Sequence, residues 1–150
     1  MKNITHEPKD SMGYLTNMTG KMMSSRLKSK LEAIGIDLPI EHWIILTTLW
    51  FDDGLNQQEV ADKIHKNKGT ITRAINHLEQ INLVVRIPDQ KDKRLKRIYL
   101  THKGKELQAT LLPLAYETNL EAVEGISEAE LDICKKVLRK MYQNLNQSLS

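Results

Sequence analysis

Residues 40–51, IEHWIILTTLWF, constrain this chain more than any other segment. Apolar side chains fall on nearly every side of a helix drawn through them. Such a helix has no face to offer water, so the rest of the chain must wrap around it. Pro39 is placed to open it at its first helical position, where a missing N–H costs nothing, and Asp53-Gly54 to end it. Upstream, Leu15, Met18, Met22, Leu27, Leu31 and Ile34 keep close to helical spacing. They predict a helix over about 11–34, with Gly35 as its left-handed stop. The first ten residues lack periodicity and are expected to fray.

Downstream of residue 54 the pattern changes twice. Asn56, with Glu59 three residues on, reads as a variant capping box for a short helix whose apolar face is Val60, Ala61 and Ile64. The polar turn HKNKG leads to a second helix, with Asn67 as its cap. There Ile71, Ala74, Ile75 and Leu78 face inward, leaving Lys68, Thr72, Arg73, Asn76 and His77 facing out; Asn82 is an acceptable left-handed stop. The period then drops to two. VVRIP and KRIYL are short β-rich runs, joined by the charged loop DQKDKRL into a hairpin. Thr101 caps a long helix bearing Leu107, Leu111 and Leu114, which Pro113 should kink. Ser127 and Glu130 frame a capping box for a last helix, where Leu131, Cys134, Leu138, Met141 and Leu145 recur at heptad spacing.

The expected fold is mainly α with a small β-hairpin wing. A winged helix-turn-helix lobe over about 38–100 is flanked by dimerisation helices over about 11–34 and 101–147, in one domain. The outward residues of the second helix suit a DNA major groove. Thr hydroxyls and Asn amides meet base edges, Arg binds guanine bidentately and Lys meets phosphate. A basic loop beyond that helix reaches an adjacent minor groove, where negative potential is focused.

Charge distribution agrees with this reading. The total of 22 basic against 19 acidic residues decides little. Residues 86–97, however, hold six Lys or Arg against two Asp, whereas residues 117–132 hold six acidic residues and no basic ones. Such asymmetry fits a chain with one end that meets an anion, and equally one with two solvated surfaces. With one Phe, two Trp and four Tyr, aromatic rings are too few for a base-stacking single-strand platform. The N-terminus lacks the apolar stretch of a signal peptide and no run approaches a membrane span, so a cytoplasmic protein is expected. The single Cys134 excludes a disulfide framework within the chain. No nucleotide loop, nucleophile elbow or metal-ligand spacing is present, so neither catalysis nor a metal or other cofactor is expected.

LNQQEVADKIHKNKGTITRAINHLEQINLVVRIPDQKDKRLKRIYLTHKG resembles the core of the MarR family of bacterial transcriptional regulators. The wing carries the most specific part: Asp92-x-Arg94, then Ile98-x-Leu100-Thr101-x-x-Gly104. LPIEHWIIL also resembles the family's second helix. The resemblance implies a homodimer on a palindromic double-stranded operator, usually a repressor released by a small aromatic or anionic ligand. It further implies that the wing Arg enters the minor groove while the neighbouring Asp holds it; Arg94 and Asp92 match those positions. The expected DNA-binding set is therefore Lys68, Gly69, Thr70, Thr72, Arg73, Asn76 and His77 on the helix, with Lys91, Asp92, Lys93 and Arg94 on the wing. Leu15, Leu131, Leu138, Met141 and Leu145 are expected to form the dimer seam. Met22, His42, Trp43 and Leu46 are expected to line the ligand cleft. The chain departs from the family pattern at Leu38 and Asn56, where Thr is usual, at Asn82, where Gly is usual, and at Gly69, where Ser is frequent.

Two features have competing readings. Some relatives sense oxidants through a thiol near the first helix, but Cys134 lies on the last helix, where a buried thiol would be inert. One branch binds zinc, and Glu41-His42 stands at ligand positions of that branch without the remaining spacing. A winged helix that binds protein instead of DNA is the alternative from another class. Salt separates the two, because DNA binding releases counterions and an apolar protein interface does not.

Overall fold

The computed structural model describes residues 7–146. The elements among them are α1 (Met12–Ala33), α2 (Ile40–Phe51), β1 (Leu55–Asn56), α3 (Gln57–Ile64), α4 (Lys68–Gln80), β2 (Val84–Pro88), β3 (Lys96–Leu100), α5 (His102–Ala122) and α6 (Glu128–Asn146). The all-round apolar helix α2 lies at the centre as its composition demands: Ile45, Leu46 and Leu49 are fully buried. Leu27 and Leu31 of α1, Val60 of α3, Ile71, Ile75 and Leu78 of α4, Ile98 of β3 and Leu111 of α5 close around it. Only its last residue breaks the pattern, Phe51 being 82% exposed.

Local chemistry sets most boundaries. The Asn56 side chain accepts from the Glu59 N–H while Glu59 reaches back to the Asn56 N–H, a complete capping box. Asn67 accepts from Thr70 N, Thr101 from Gly104 N and Ser127 from Glu130 N. Asn82 takes the left-handed conformation, φ 61°. Pro39 stands one place earlier than expected, as the N-cap of α2, because its carbonyl accepts the first helical bonds from His42 and Trp43. Helix α5 runs on through Pro113. Residues 8–10 of the stretch expected to fray form a single 3-10 turn, whose Pro8 carbonyl accepts from the Ser11 hydroxyl; residues 1–6 lie outside the described residues.

The hairpin is a three-stranded sheet in the order β1-β3-β2, antiparallel throughout. Leu55 pairs with Ile98 and Asn56 with Arg97, so the wing is tied to the start of α3. Helices α1 and α5 pack together and are bridged by charge. Glu121 lies 2.7 Å from both Arg26 and Lys30, and Lys30 also meets Glu117 at 3.3 Å. These cations, Arg26 first, hold the Glu121 carboxyl down to about 2.

Helix α6 buries none of its residues in the single chain. Leu138, Leu145, Val137 and Ile133 are exposed, and so is Cys134. The expectation of a buried thiol does not hold within one chain, because none of the described residues buries the apolar stripe of α6.

Candidate nucleic-acid interface

Helices α3 and α4 pack through Val60, Ala61, Ile71 and Ile75 into the core, which turns the opposite face of α4 outward. Lys68, Gly69, Arg73 and Asn76 are exposed there, and Thr70 and Thr72 are half-buried. Thr72, Arg73 and Asn76 are each oriented by a neighbour. Thr72 donates its hydroxyl to the Lys68 carbonyl at 2.8 Å and accepts from the Gln57 amide of α3. Arg73 Nη2 donates to Thr70 Oγ1 at 3.4 Å. Asn76 Oδ1 accepts from Arg86 Nη2 at 2.7 Å, and Arg86 also donates to Glu79.

The wing presents its cations on a braced loop. Asp89 accepts from the backbone N–H groups of Lys91 (2.8 Å) and Asp92 (3.0 Å) and from Arg97 Nε. Those bonds, the Asp92 N–H first, hold its carboxyl down to about 2. Arg97 in turn donates to the Gly54 carbonyl at 2.9 Å, which fixes the root of the wing to the helix pair. At the tip, Asp92 Oδ1 accepts from both the Arg94 backbone N–H (3.0 Å) and Arg94 Nε (3.3 Å). The Arg94 side chain is 93% exposed, free to reach outward while one edge is held. Lys91 and Lys93 are exposed beside it. A cleft of about 260 Å³ is lined by Gln57, Lys68, Arg86 and Arg94, so the start of α4 and the wing tip border one cationic concavity.

His77 departs from expectation. Rather than facing outward, it is half-buried, and its Nδ1 lies 2.9 Å from Nε2 of His42 on α2, the rings edge to face. The apolar residues of α4 rotate this position toward α2. His42 Nδ1 is buried without a partner among the described residues. A hydrogen on Nε2 leaves Nδ1 as a bare acceptor, the cheaper of the two orphans. Burial first, then the adjacent His77, push the His42 pKa below the ordinary histidine value, against a smaller opposite pull from Glu41. Since the folded-state value is the lower one, stability is complete above about pH 6.5 and declines as pH falls below it. The midpoint of thermal unfolding is therefore expected to drop on going from pH 7.5 to 5.5, and less so in His42→Leu. Parallel profiles for the two proteins would refute this role.

The expected ligand-cleft residues divide. Trp43 lines an open cleft of about 300 Å³ together with Met23, Leu27, Ile44, Ala115 and Thr118. Met22 points away, 64% exposed, because it lies one position (about 100° of helix) from Met23. Leu46 is fully buried in the core, and His42 faces the separate cavity beneath α4 that it shares with Arg73 and His77. Sequence reasoning missed Gln57, Arg86, Asp89 and Arg97. Only Asp89 carried a local signal, an Asp opening a charged turn.

Two capped helices at the edge of an apolar core, the second with an outward polar face, and a basic wing anchored at its side define a winged helix-turn-helix protein. Comparison with known proteins narrows the class: the MarR family model matches residues 38–96, and over that span the chain is similar to the MarR family of transcriptional regulators. YybA, an uncharacterized HTH-type transcriptional regulator of Bacillus subtilis, is 25% identical over 117 residues, 78% of each chain. A MarR transcriptional regulator from Methanosarcina mazei Go1 superposes with a TM-score of 0.81 at 27% identity, covering 91% of this chain and 96% of that one. MepR of S. aureus, solved in complex with DNA, has a TM-score of 0.80 at 28% identity, covering 93% and 99%.

Proposed function

We propose that this protein is a homodimeric, sequence-specific DNA-binding repressor that sits on a palindromic operator and is released by a small ligand. The observation that carries the reading is the shared cationic concavity: Lys68 at the start of α4 and Arg94 at the wing tip border the same cleft. A groove reader needs that arrangement, with α4 in the major groove and the wing beside it. MepR, which shares the fold at 28% identity, was solved in complex with DNA, which supports DNA binding by this chain.

Dimerisation is supported by surface arithmetic. The chain exposes 11053 Å², whereas a compact monomer of its 17.3 kDa exposes roughly 7,800 Å². Apolar side chains account for part of the excess: Leu15 and Met18 on α1, Tyr116 and Leu120 on α5, Leu138, Tyr142 and Leu145 on α6 are all exposed. An open apolar cleft beside Trp43 supports a small aromatic ligand, since its lining offers rings and aliphatic carbons but no cation.

The test is a salt titration of binding to the DNA upstream of the protein's own coding region, with footprinting of the protected bases. A two-fold footprint and an affinity falling steeply with salt are expected. Leu138→Asp is expected to yield monomers by sedimentation and to weaken binding by roughly a hundredfold, because each half-site then binds without its tether. Salt-insensitive association, or a wild-type monomer that binds as tightly as the dimer, would point instead to a protein-binding winged helix.

A further inference from the structure

Arg86 and Asn76 together carry an inference that rests on the DNA-binding reading and sharpens it. Asn76 stands exposed on the outer face of α4, one turn beyond Thr72 and Arg73. An Asn in a major groove ordinarily reads adenine with both ends of its amide, the oxygen accepting from N6 and the NH2 donating to N7. Here one end is already engaged. Arg86 Nη2 of β2 lies 2.7 Å from the Asn76 side chain. A guanidinium carries donors and no acceptor, so the atom it meets has to be the amide oxygen. Arg86 is itself fixed: its Nη1 bonds one Glu79 carboxylate oxygen, and its backbone N–H donates to the other at 3.2 Å. Its side chain is only 16% exposed, although the bond to Asn76 itself lies at the surface.

We propose that Arg86 is a positioning residue that makes Asn76 a donor-only reader, selecting a keto base, guanine or thymine, at one position of each half-site. With the oxygen turned toward β2, the NH2 group is what the amide presents to the groove. Guanine offers it two acceptors, N7 and O6, and thymine offers O4. Adenine sets its own N6 donor beside the single acceptor N7, and cytosine presents only a donor. The order of preference is therefore guanine, thymine, adenine, cytosine. Glu79 has the supporting part of neutralising Arg86 and preventing its escape to a phosphate.

The experiment is selection from a randomised duplex library with the purified wild type and three variants, followed by affinity measurements on single-base changes of the selected site. Asn76→Ala identifies the base pair concerned as the one where preference is lost. At that pair the wild type is expected to favour a keto base over cytosine by about tenfold or more. Arg86→Met frees the amide to turn, and preference at that pair is expected to move to adenine while the other positions keep theirs. Asn76→Asp retains the Arg86 partner but presents only acceptors, and preference is expected to move to cytosine. A purely structural role for Arg86 would weaken all sequences alike and leave the preferred base unchanged. Adenine at the Asn76 pair in the wild type, or an unchanged base in Arg86→Met with cooperative unfolding intact, would overturn the proposal. Failure of the wild type to enrich any sequence would instead overturn the DNA-binding reading beneath it.

Discussion

Arg94→Ala is expected to weaken operator binding by about 2 kcal/mol per lobe, hence about 4 kcal/mol, roughly a thousandfold, for a dimer. Folding should be untouched: the side chain is 93% exposed, and exposed substitutions usually stay within about 0.5 kcal/mol. The pair with Asp92 adds little stability of its own, since exposed ion pairs are worth at most about 1 kcal/mol. Its effect is on the ensemble of Arg94 rotamers, which it narrows before the side chain docks. Asp92→Ala is thus expected to weaken binding as well, though less, despite removing a negative charge near DNA. Asp92 Oδ1 also accepts from the Arg94 backbone N–H, so Asp92→Asn serves as the control that preserves the loop bond while removing the charge. Anisotropy titrations at fixed salt decide the matter. Tighter binding by Asp92→Ala, as simple charge counting demands, would reduce the wing to a plain basic loop.

Gly104→Ala is expected to remove a large part of the protein's stability, about 3–5 kcal/mol of the 5–15 kcal/mol typical of a domain. A Gly-to-Ala change inside a helix ordinarily stabilises by up to about 1 kcal/mol, so the sign is reversed here. The reason is a close crossing. A Cβ on Gly104 would stand 2.1 Å from the Leu83 carbonyl oxygen and 3.3 Å from Leu100 Cδ2. That oxygen already accepts from Thr101 N, and the Gly104 carbonyl accepts from Trp50 Nε1 at 2.9 Å. Helix α5 would have to lift off the start of β2 by more than an ångström, breaking both bonds and opening the core beside Leu100. Urea unfolding of the variant measures the loss directly. A midpoint equal to the wild type would show that the crossing yields without strain.

The rest of the molecule divides by the range over which its interactions act. Within one helical turn or one β-turn, the order of residues decides the outcome. Asn56, Asn67, Thr101 and Ser127 cap the helices they precede, Asn82 takes the left-handed position, and Asp92 holds Arg94 two residues on. The all-round apolar α2 likewise announces a central helix, since a segment without a polar face has no other stable environment. From these, together with a change of period from helical to alternating, the winged helix-turn-helix and its exposed cations are legible.

Tertiary structure decided everything that depends on how one element is rotated against another. Leu46 and Met22 both read as cleft residues, yet one is in the core and the other faces out, because a helix turns its side chains by about 100° per residue. His77 reads as outward and instead meets His42, thirty-five positions away. Arg86 reads as one more basic residue of the wing, but β2 lays it against Asn76 and Glu79 of α4. Arg97 does the same for Asp89 and Gly54, and β1 exists only because β3 pairs with it. A hydrogen bond across seven to forty-three residues leaves no local periodicity, since neither partner's own backbone conformation requires it. It forms once the apolar faces have packed and brought donor and acceptor within about 3 Å.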